Sequence, residues 1–530
     1  MRDFQVPGRS PVYATNAMAA TSMPLATLVA IDTLRAGGNA LDAAVAATAV
    51  LGVIEPQSTG IGGDCFCLYK PAGHDVVAMN GSGRAPAAAS VTALASLGVR
   101  TLDPTSPHTV TIPGAVAAWE MLLAIHSRKG LDELLRPAIH YAEEGFVVAP
   151  RVAFDWAAET PKLKSTGAGL YLPAGAAPLP GHVFRQPALA TTLRQIAKHG
   201  AKAFYEGGIA ARMVDTLRTR GGLHTEDDFA SMRSAVGFVT PITARWRGHD
   251  VWECPPNGSG VAALMLLGIL DGMPTPDEPL SALRLHRHSE AARLVYRDRD
   301  AFIADPEHYE VPVARLLSSE YLDAMRALID DQRSLPKLPQ PGEALLSAHK
   351  DTVYVSVVDR DGNACSFINS IFQSFGSGIV SSQDGILLHN RGFSFNLEAG
   401  HPNVIAPNKR PMHTILPGML TQNGHAIMPF GVMGGHYQPV GQSWLLTNLL
   451  EFGMDIQEAI DCPRVMPRLG TLQVEHGIAE ATRSALTQLG HELAQPEEPL
   501  GGAQAVWIDR PRGILIGGSD PRKDGCALGY

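Results

Sequence analysis

The sequence has little of what ties a chain to nucleic acid, membranes or disulfide chemistry. Of its 530 residues only 18% are charged, the net charge is -9, and the isoelectric point is near 6.1. No Lys/Arg-rich run occurs, so nucleic acid and anionic membrane surfaces are not expected partners. No stretch of about 18 uncharged apolar residues is present, and no membrane-spanning helix is expected. The first residues, MRDFQVPGRSPVYATNAMAATS, hold no apolar run of signal-peptide length, and a soluble cytoplasmic protein is the expectation. Six cysteines are scattered: Cys65, Cys67, Cys254, Cys365, Cys462 and Cys526. Only Cys65 and Cys67 lie close, and no second pair at zinc-site spacing accompanies them, so free, buried thiols are expected.

Familiar catalytic signatures are missing as well. There is no G-x-S-x-G nucleophile elbow and no G-x-x-x-x-G-K-[ST] phosphate loop. Gly60-Ile61-Gly62-Gly63 lacks the spacing of a dinucleotide loop. His286 and His288 lie in a helical segment, where residues two apart point about 200° away from each other, and read as surface or satisfied histidines. No metal or organic cofactor is implied.

What is present is a chain with 45% hydrophobic residues, long enough for a large core in one big or two closely packed domains. The first half reads as helices punctuated by Gly and Pro. One runs to Ala36, Gly37-Gly38 stops it, and Asn39 caps a second, Ala-rich helix from about Leu41. Next, STGIGGDCFCLYK reads as a Gly-rich loop feeding a strand. Helices are expected over 114–127, 130–144, 187–199 and 281–304, and ARWRGHDVWECPPNGSGVAALMLLGIL as strand, turn and buried helix. Residues 334–351 lack periodicity, begin Pro/Lys-rich, and read as an exposed linker. Beyond it VYVSVV, NACSFIN, GIVSS, GILLHN, HTILPGMLT and HAIMPFGVM read as strands, followed by helices at 442–451 and 456–461. The expectation is packed α and β layers, an α+β fold, rather than alternating βαβ units.

The candidate chemistry centres on Asp351-Thr352, where the linker meets a strand. A strand start capped by two polar residues is the simplest reading. The alternative makes Thr352 a chain terminus. A Thr hydroxyl is a poor nucleophile without a base, and a freed α-amine of pKa about 7.7–8.0 can supply one at neutral pH. That requires scission of the Asp351–Thr352 bond. Gly434-Gly435, after an apolar strand, offer either backbone amides for a developing oxyanion or a tight turn needing positive φ. His413 and Thr414 follow a Pro-containing turn.

Together these stretches resemble the gamma-glutamyltranspeptidase family of N-terminal-nucleophile hydrolases. The resemblance runs in order through AGGNALDAAVAATAVLGVIEPQSTGIGGDCF, IPGAVAAWE, PAIHYAEEGFVV, AFYEGGIA, LHTEDDF, EAARLVYRDRDAFIADP, TVYVSVVDRDGNACSF, FGSGIV, PNKRP and GVMGGHYQPVGQ. It implies a four-layer αββα sandwich and a precursor that cuts itself into a large subunit, 1–351, and a small subunit, 352–530, held as an intimate heterodimer. It further implies Thr352 as nucleophile, Ser370 as a hydroxyl supporting it, and Gly434 and Gly435 as the oxyanion hole.

Departures from the family pattern bear on substrate. The Arg expected three residues before Ala85-Pro86 is Ser82, with Arg84 adjacent to the pair. His413-Thr414 stand in place of a Ser pair. The acceptors for a glutamyl α-amine fall on Phe372, Arg391 and Ser394. Arg391 beside an amine would be repulsive, whereas beside a small carboxylate it is a clamp; a structural ion pair is the other reading of Arg391. Phe372 would shrink the pocket. The set GSGRAP, NRG and KRPMHT with GVMGGHYQP resembles the branch containing oxamate amidohydrolase and acylase-type relatives. That implies a small carboxylated amide as substrate, with Arg391, His413, Thr414, Phe372 and Arg84 around it. A gamma-glutamyl hydrolase or transferase is the alternative, and a non-catalytic homologue the third reading.

Overall fold

A computed structural model describes residue 5, residues 8–335 and residues 352–530. Asp351 and all but the first two residues of the expected linker lie outside the described residues.

Two seven-stranded antiparallel sheets form the centre of the molecule. The first runs Val12–Ala14, Ile514–Ser519, Gly502–Asp509, His425–Met433, Pro417–Gln422, His249–Glu253 and Ile242–Trp246. The second runs Cys526–Gly529, Met18–Thr21, Val353–Val358, Ala364–Ser370, Asp64–Lys70, Val77–Gly81 and Gly237–Val239. Each sheet takes strands from both sides of residue 351, so neither half of the chain closes a sheet alone. The first half, read as mainly helical, supplies more strands than expected, several of them too short or too uniformly buried for a period-2 signal. The Asp64–Lys70 strand, for example, is buried at every position.

Between the sheets lies an apolar layer that includes Met18, Phe66, Tyr354, Ile368, Met419 and Val506, all fully buried. Each such large side chain contributes about 1.5–3 kcal/mol. The outer face of the second sheet packs on Pro24–Arg35, Ala40–Ile54 and Ala115–His126. The outer face of the first packs on Gly260–Asp271, Ala282–Phe302 and Gln438–Leu450. The result is an αββα sandwich.

Ala40–Ile54 shows how closely sequence dictates this packing. Asn39 accepts from the backbone N–H of Leu41 and Asp42, while Asp42 accepts from the Asn39 N–H, closing a capping box. Every residue of the helix except Gly52 is buried, consistent with an Ala-rich surface that lets neighbours approach on all sides.

Several boundaries differ from expectation. The helix expected over 130–144 is two, Leu131–Leu134 and Arg136–Glu144, because Pro137 cannot donate to a continuous ladder and instead sits in a new first turn. The strand expected around ARWRGHDVWE is a hairpin, folded at Arg247-Gly248, both at positive φ (45° and 80°). The helix expected from Gln442 starts at Gln438, with Pro439 in its first turn. Cysteines 65, 67, 254, 365 and 462 are free and buried, and Cys526 is free and partly buried.

Candidate active site

Strand pairing assembles the candidate site. Val353 pairs with Asn369 in the hairpin formed by Val353–Val358 and Ala364–Ser370, so Thr352 and Ser370 end adjacent strands side by side. Their hydroxyls are 3.1 Å apart, and both residues are buried. Ser370 Oγ also accepts from the Phe372 N–H at 2.9 Å. On its other side Ser370 pairs with Asp64, the first residue of the Asp64–Lys70 strand. Three polar residues thus line one end of the second sheet, on three neighbouring strands.

Asp64 is a hub that sequence reading did not single out. Its Oδ1 accepts from the Gly83 N–H at 2.9 Å. Its Oδ2 lies 2.9 Å from His413 Nε2, 3.3 Å from His389 Nδ1 and 3.7 Å from Arg391 Nε. All four side chains are fully buried. Burial alone would raise the Asp64 carboxyl, but the proximity of His389 and the hydrogen bond from His413 reverse this and hold it well below the usual carboxylate range. Burial and the Arg391 cation pull His413 down to about 3, so its imidazole is neutral at physiological pH. The His413 tautomer follows: Nδ1 faces the Ile415 N–H and Nε2 carries the proton given to Asp64.

Arg391 opens a short 3₁₀ turn, Arg391–Ser394, that follows the Ile386–Leu388 strand. Asn390 anchors the turn through bonds to Gln373 and to the Pro104 carbonyl. The Arg391 guanidinium donates from Nη1 to Thr414 Oγ1 at 3.0 Å, and its Cζ lies 4.0 Å from the Phe372 ring centroid. Phe372 adopts φ 78°, uncommon for a bulky residue, and the surrounding structure holds it there. Nε and Nη2 of Arg391 have no hydrogen-bond partner among the described residues. Burial draws the guanidinium down to about 9, which leaves it charged at neutral pH.

Gly434 and Gly435 follow the His425–Met433 strand and lead into the Gln438–Leu450 helix. Their φ values are 123° and 56°. A Cβ on Gly434 would stand 2.7 Å from the Gly501 Cα, so glycine is demanded there by space as well as by conformation. Both glycines precede a 13-residue helix, whose N-terminal end favours negative charge. Gln438, at the start of that helix, accepts from the Leu416 N–H, two residues past Thr414.

The structure therefore joins Thr352, Ser370, Phe372, Arg391, Thr414 and His413 through a continuous set of contacts. Arg84 stands apart from it. Its guanidinium is committed to Glu307 at 2.6 Å and to the Asn408 carbonyl at 2.8 Å. Ser82 bonds Asn80 and Asn257. Ser394 is buried, and its hydroxyl has no partner among the described residues. Asp64 and His389 had one signal each in the sequence: a lone acid opening an apolar strand, and a histidine two residues before Arg391.

Comparison with known proteins shows the family. The sequence model described as "Gamma-glutamyltranspeptidase" matches residues 26–530. The chain belongs to the gamma-glutamyltranspeptidase family. It is 36% identical to the glutathione hydrolase-like YwrD proenzyme of Bacillus subtilis (strain 168), over 98% of this chain and 99% of that one. It is also 36% identical, with the same coverage, to the oxamate amidohydrolase proenzyme of Klebsiella pneumoniae. The crystal structure of cephalosporin acylase from Bacillus halodurans superposes with a TM-score of 0.92 at 37% identity, over 100% of this chain and 99% of that one. As a member of this family the chain is an enzyme that hydrolyses amide C–N bonds. Among the described residues, no helix is long and apolar enough to cross a membrane.

Proposed function

We propose that this protein is a self-cleaving N-terminal-threonine amidohydrolase for small amides that carry a carboxylate, with oxamate as the reference substrate. The observation that carries the reading is Arg391. It is a fully buried cation with two nitrogens unmet among the described residues, held over Phe372 near a nucleophile candidate. Asp64, 3.7 Å from Nε, offsets the charge without a hydrogen bond, and the two unmet nitrogens suit a small planar carboxylate at the guanidinium fork. A glutamyl α-amine would meet repulsion there.

Cleavage between Asp351 and Thr352 gives subunits 1–351 and 352–530 and frees the Thr352 amine. Thr352 Oγ1, supported by Ser370, attacks the amide carbon while the amine takes its proton. The oxyanion faces the Gly434 and Gly435 amides. The proton passes to the leaving nitrogen, ammonia departs, and water hydrolyses the oxalyl ester to oxalate. Arg391 and Thr414 hold the carboxylate, His413 and Asp64 fix Arg391, and Phe372 limits the pocket.

Two assays on one preparation test this. Ammonia release from oxamate is expected to exceed p-nitroaniline release from a gamma-glutamyl anilide; the reverse order would favour the gamma-glutamyl reading that the glutathione hydrolase relatives suggest.

A further inference from the structure

The Ala282–Phe302 helix presents His286 and Glu290 four residues apart on one face, both fully buried. His491 meets them from the turn after the Glu480–Gln488 helix, 8% exposed. One donor atom from each of the three lies within 4.8 Å of the others. We propose that His286, Glu290 and His491 form a zinc-binding site.

The tautomer of His286 supports this. Its Nε2 lies 2.9 Å from the Asp330 carbonyl, which can only accept, so Nε2 carries the proton and Nδ1 presents a lone pair. A ring nitrogen tied to a backbone carbonyl while its opposite nitrogen faces the ion is the usual second contact of a metal-bound histidine. Nδ1 faces His491 Nε2 at 2.8 Å. Two imidazole nitrogens on one tetrahedral zinc stand about 3.3 Å apart, so the rings need separate by only about 0.5 Å. His491 then carries its proton on Nδ1 and turns the Nε2 lone pair to the ion. Glu290 accepts from Arg293 Nη1 at 2.9 Å and from the Leu335 N–H at 2.7 Å, which fixes its carboxylate and leaves lone pairs for a cation. Two imidazoles and one carboxylate suit zinc and not calcium or magnesium, which take oxygen ligands. The slight exposure of His491 gives the ion an entry path.

His286 and Glu290 precede residue 351 and His491 follows it, so in a cut protein the ion clasps the two subunits together. That consequence rests on the proposed cleavage; the metal site itself does not.

Titration calorimetry with zinc chloride on chelator-stripped protein tests the site. One zinc per chain is expected for the wild type, none for His491→Ala, and weaker binding for Glu290→Gln. Zinc should raise the wild-type Tm, a chelator should reverse the rise, and cobalt(II) should give a tetrahedral absorption spectrum. Circular dichroism checks that each variant is folded. Failure of the wild type to bind, or equal binding by folded His491→Ala or Glu290→Gln, overturns the proposal and leaves a hydrogen-bonded histidine pair. Subunit cleavage is read separately on a denaturing gel, so its failure is not confused with absence of zinc.

Discussion

Two buried charge clusters in this protein are built on opposite plans. Around Asp520, two arginines meet two acids. Arg464 donates to Asp520 and to the carbonyls of Leu500 and Ile460, and Arg522 forks onto Glu475 at 3.0 and 2.8 Å. Asp520 also accepts from the Ala503 and Arg522 N–H groups at 2.9 and 3.0 Å. Around Asp64, one carboxylate faces Arg391, His389 and His413, and two guanidinium nitrogens are unmet among the described residues. The first cluster is balanced and complete, the mark of a structural network. The second keeps cationic hydrogen-bonding capacity in reserve, which is costly in the protein interior and useful only when a ligand meets it.

The largest effect that would break this contrast is on the nucleophile. Thr352→Ala is expected to remove all amidase activity and to leave one uncut 530-residue chain on a denaturing gel. Next comes Asp520→Asn, which strands the buried Arg464 cation and should cost about 3–5 kcal/mol of stability by denaturant unfolding, with KM unchanged in the folded fraction. Its pH dependence follows from sign. Burial pushes the Asp520 carboxyl up, but Arg464 and Arg522 outweigh it and hold it below its usual range. The contribution is complete above about pH 4 and is lost as pH falls through the depressed value, so the deficit of the variant should shrink in acid.

Arg391→Met should act chiefly on turnover. Stability should fall, by less than for Asp520→Asn because His389 and His413 stay beside Asp64, while kcat/KM for oxamate should fall about 100-fold. In the wild type, KM for oxamate should stay level up to about pH 9 and climb above it, as the guanidinium drawn down to about 9 loses its charge. Ser370→Ala should be mildest, about five- to tenfold in kcat, for one lost hydroxyl contact.

The same contrast explains how much could be read from the sequence. Caps and periodic helices were legible because their signals are local: Asn39 as a cap, and the stop at Gly37-Gly38. Thr352 and Ser370 were legible as a pair only through resemblance, since 18 residues separate them and hairpin register makes them neighbours. Asp64 was hidden because its partners, at 389, 391 and 413, come from distant turns and share no sequence period with it. Arg391 was visible as an anomaly of charge, but its stacking on Phe372 depends on a positive φ that no local pattern announces. The histidine at 286 reads as surface or satisfied in sequence and is buried and hydrogen-bonded in the structure, yet its histidine partner is 205 residues away.

The most direct measurement compares oxamate with oxamide, its neutral counterpart, in the wild type and in Arg391→Met. The wild type should strongly prefer oxamate, and the variant should lose that preference while staying folded and keeping its subunits cut. A preference for oxamate that survives in folded, cleaved Arg391→Met would contradict a carboxylate clamp at Arg391.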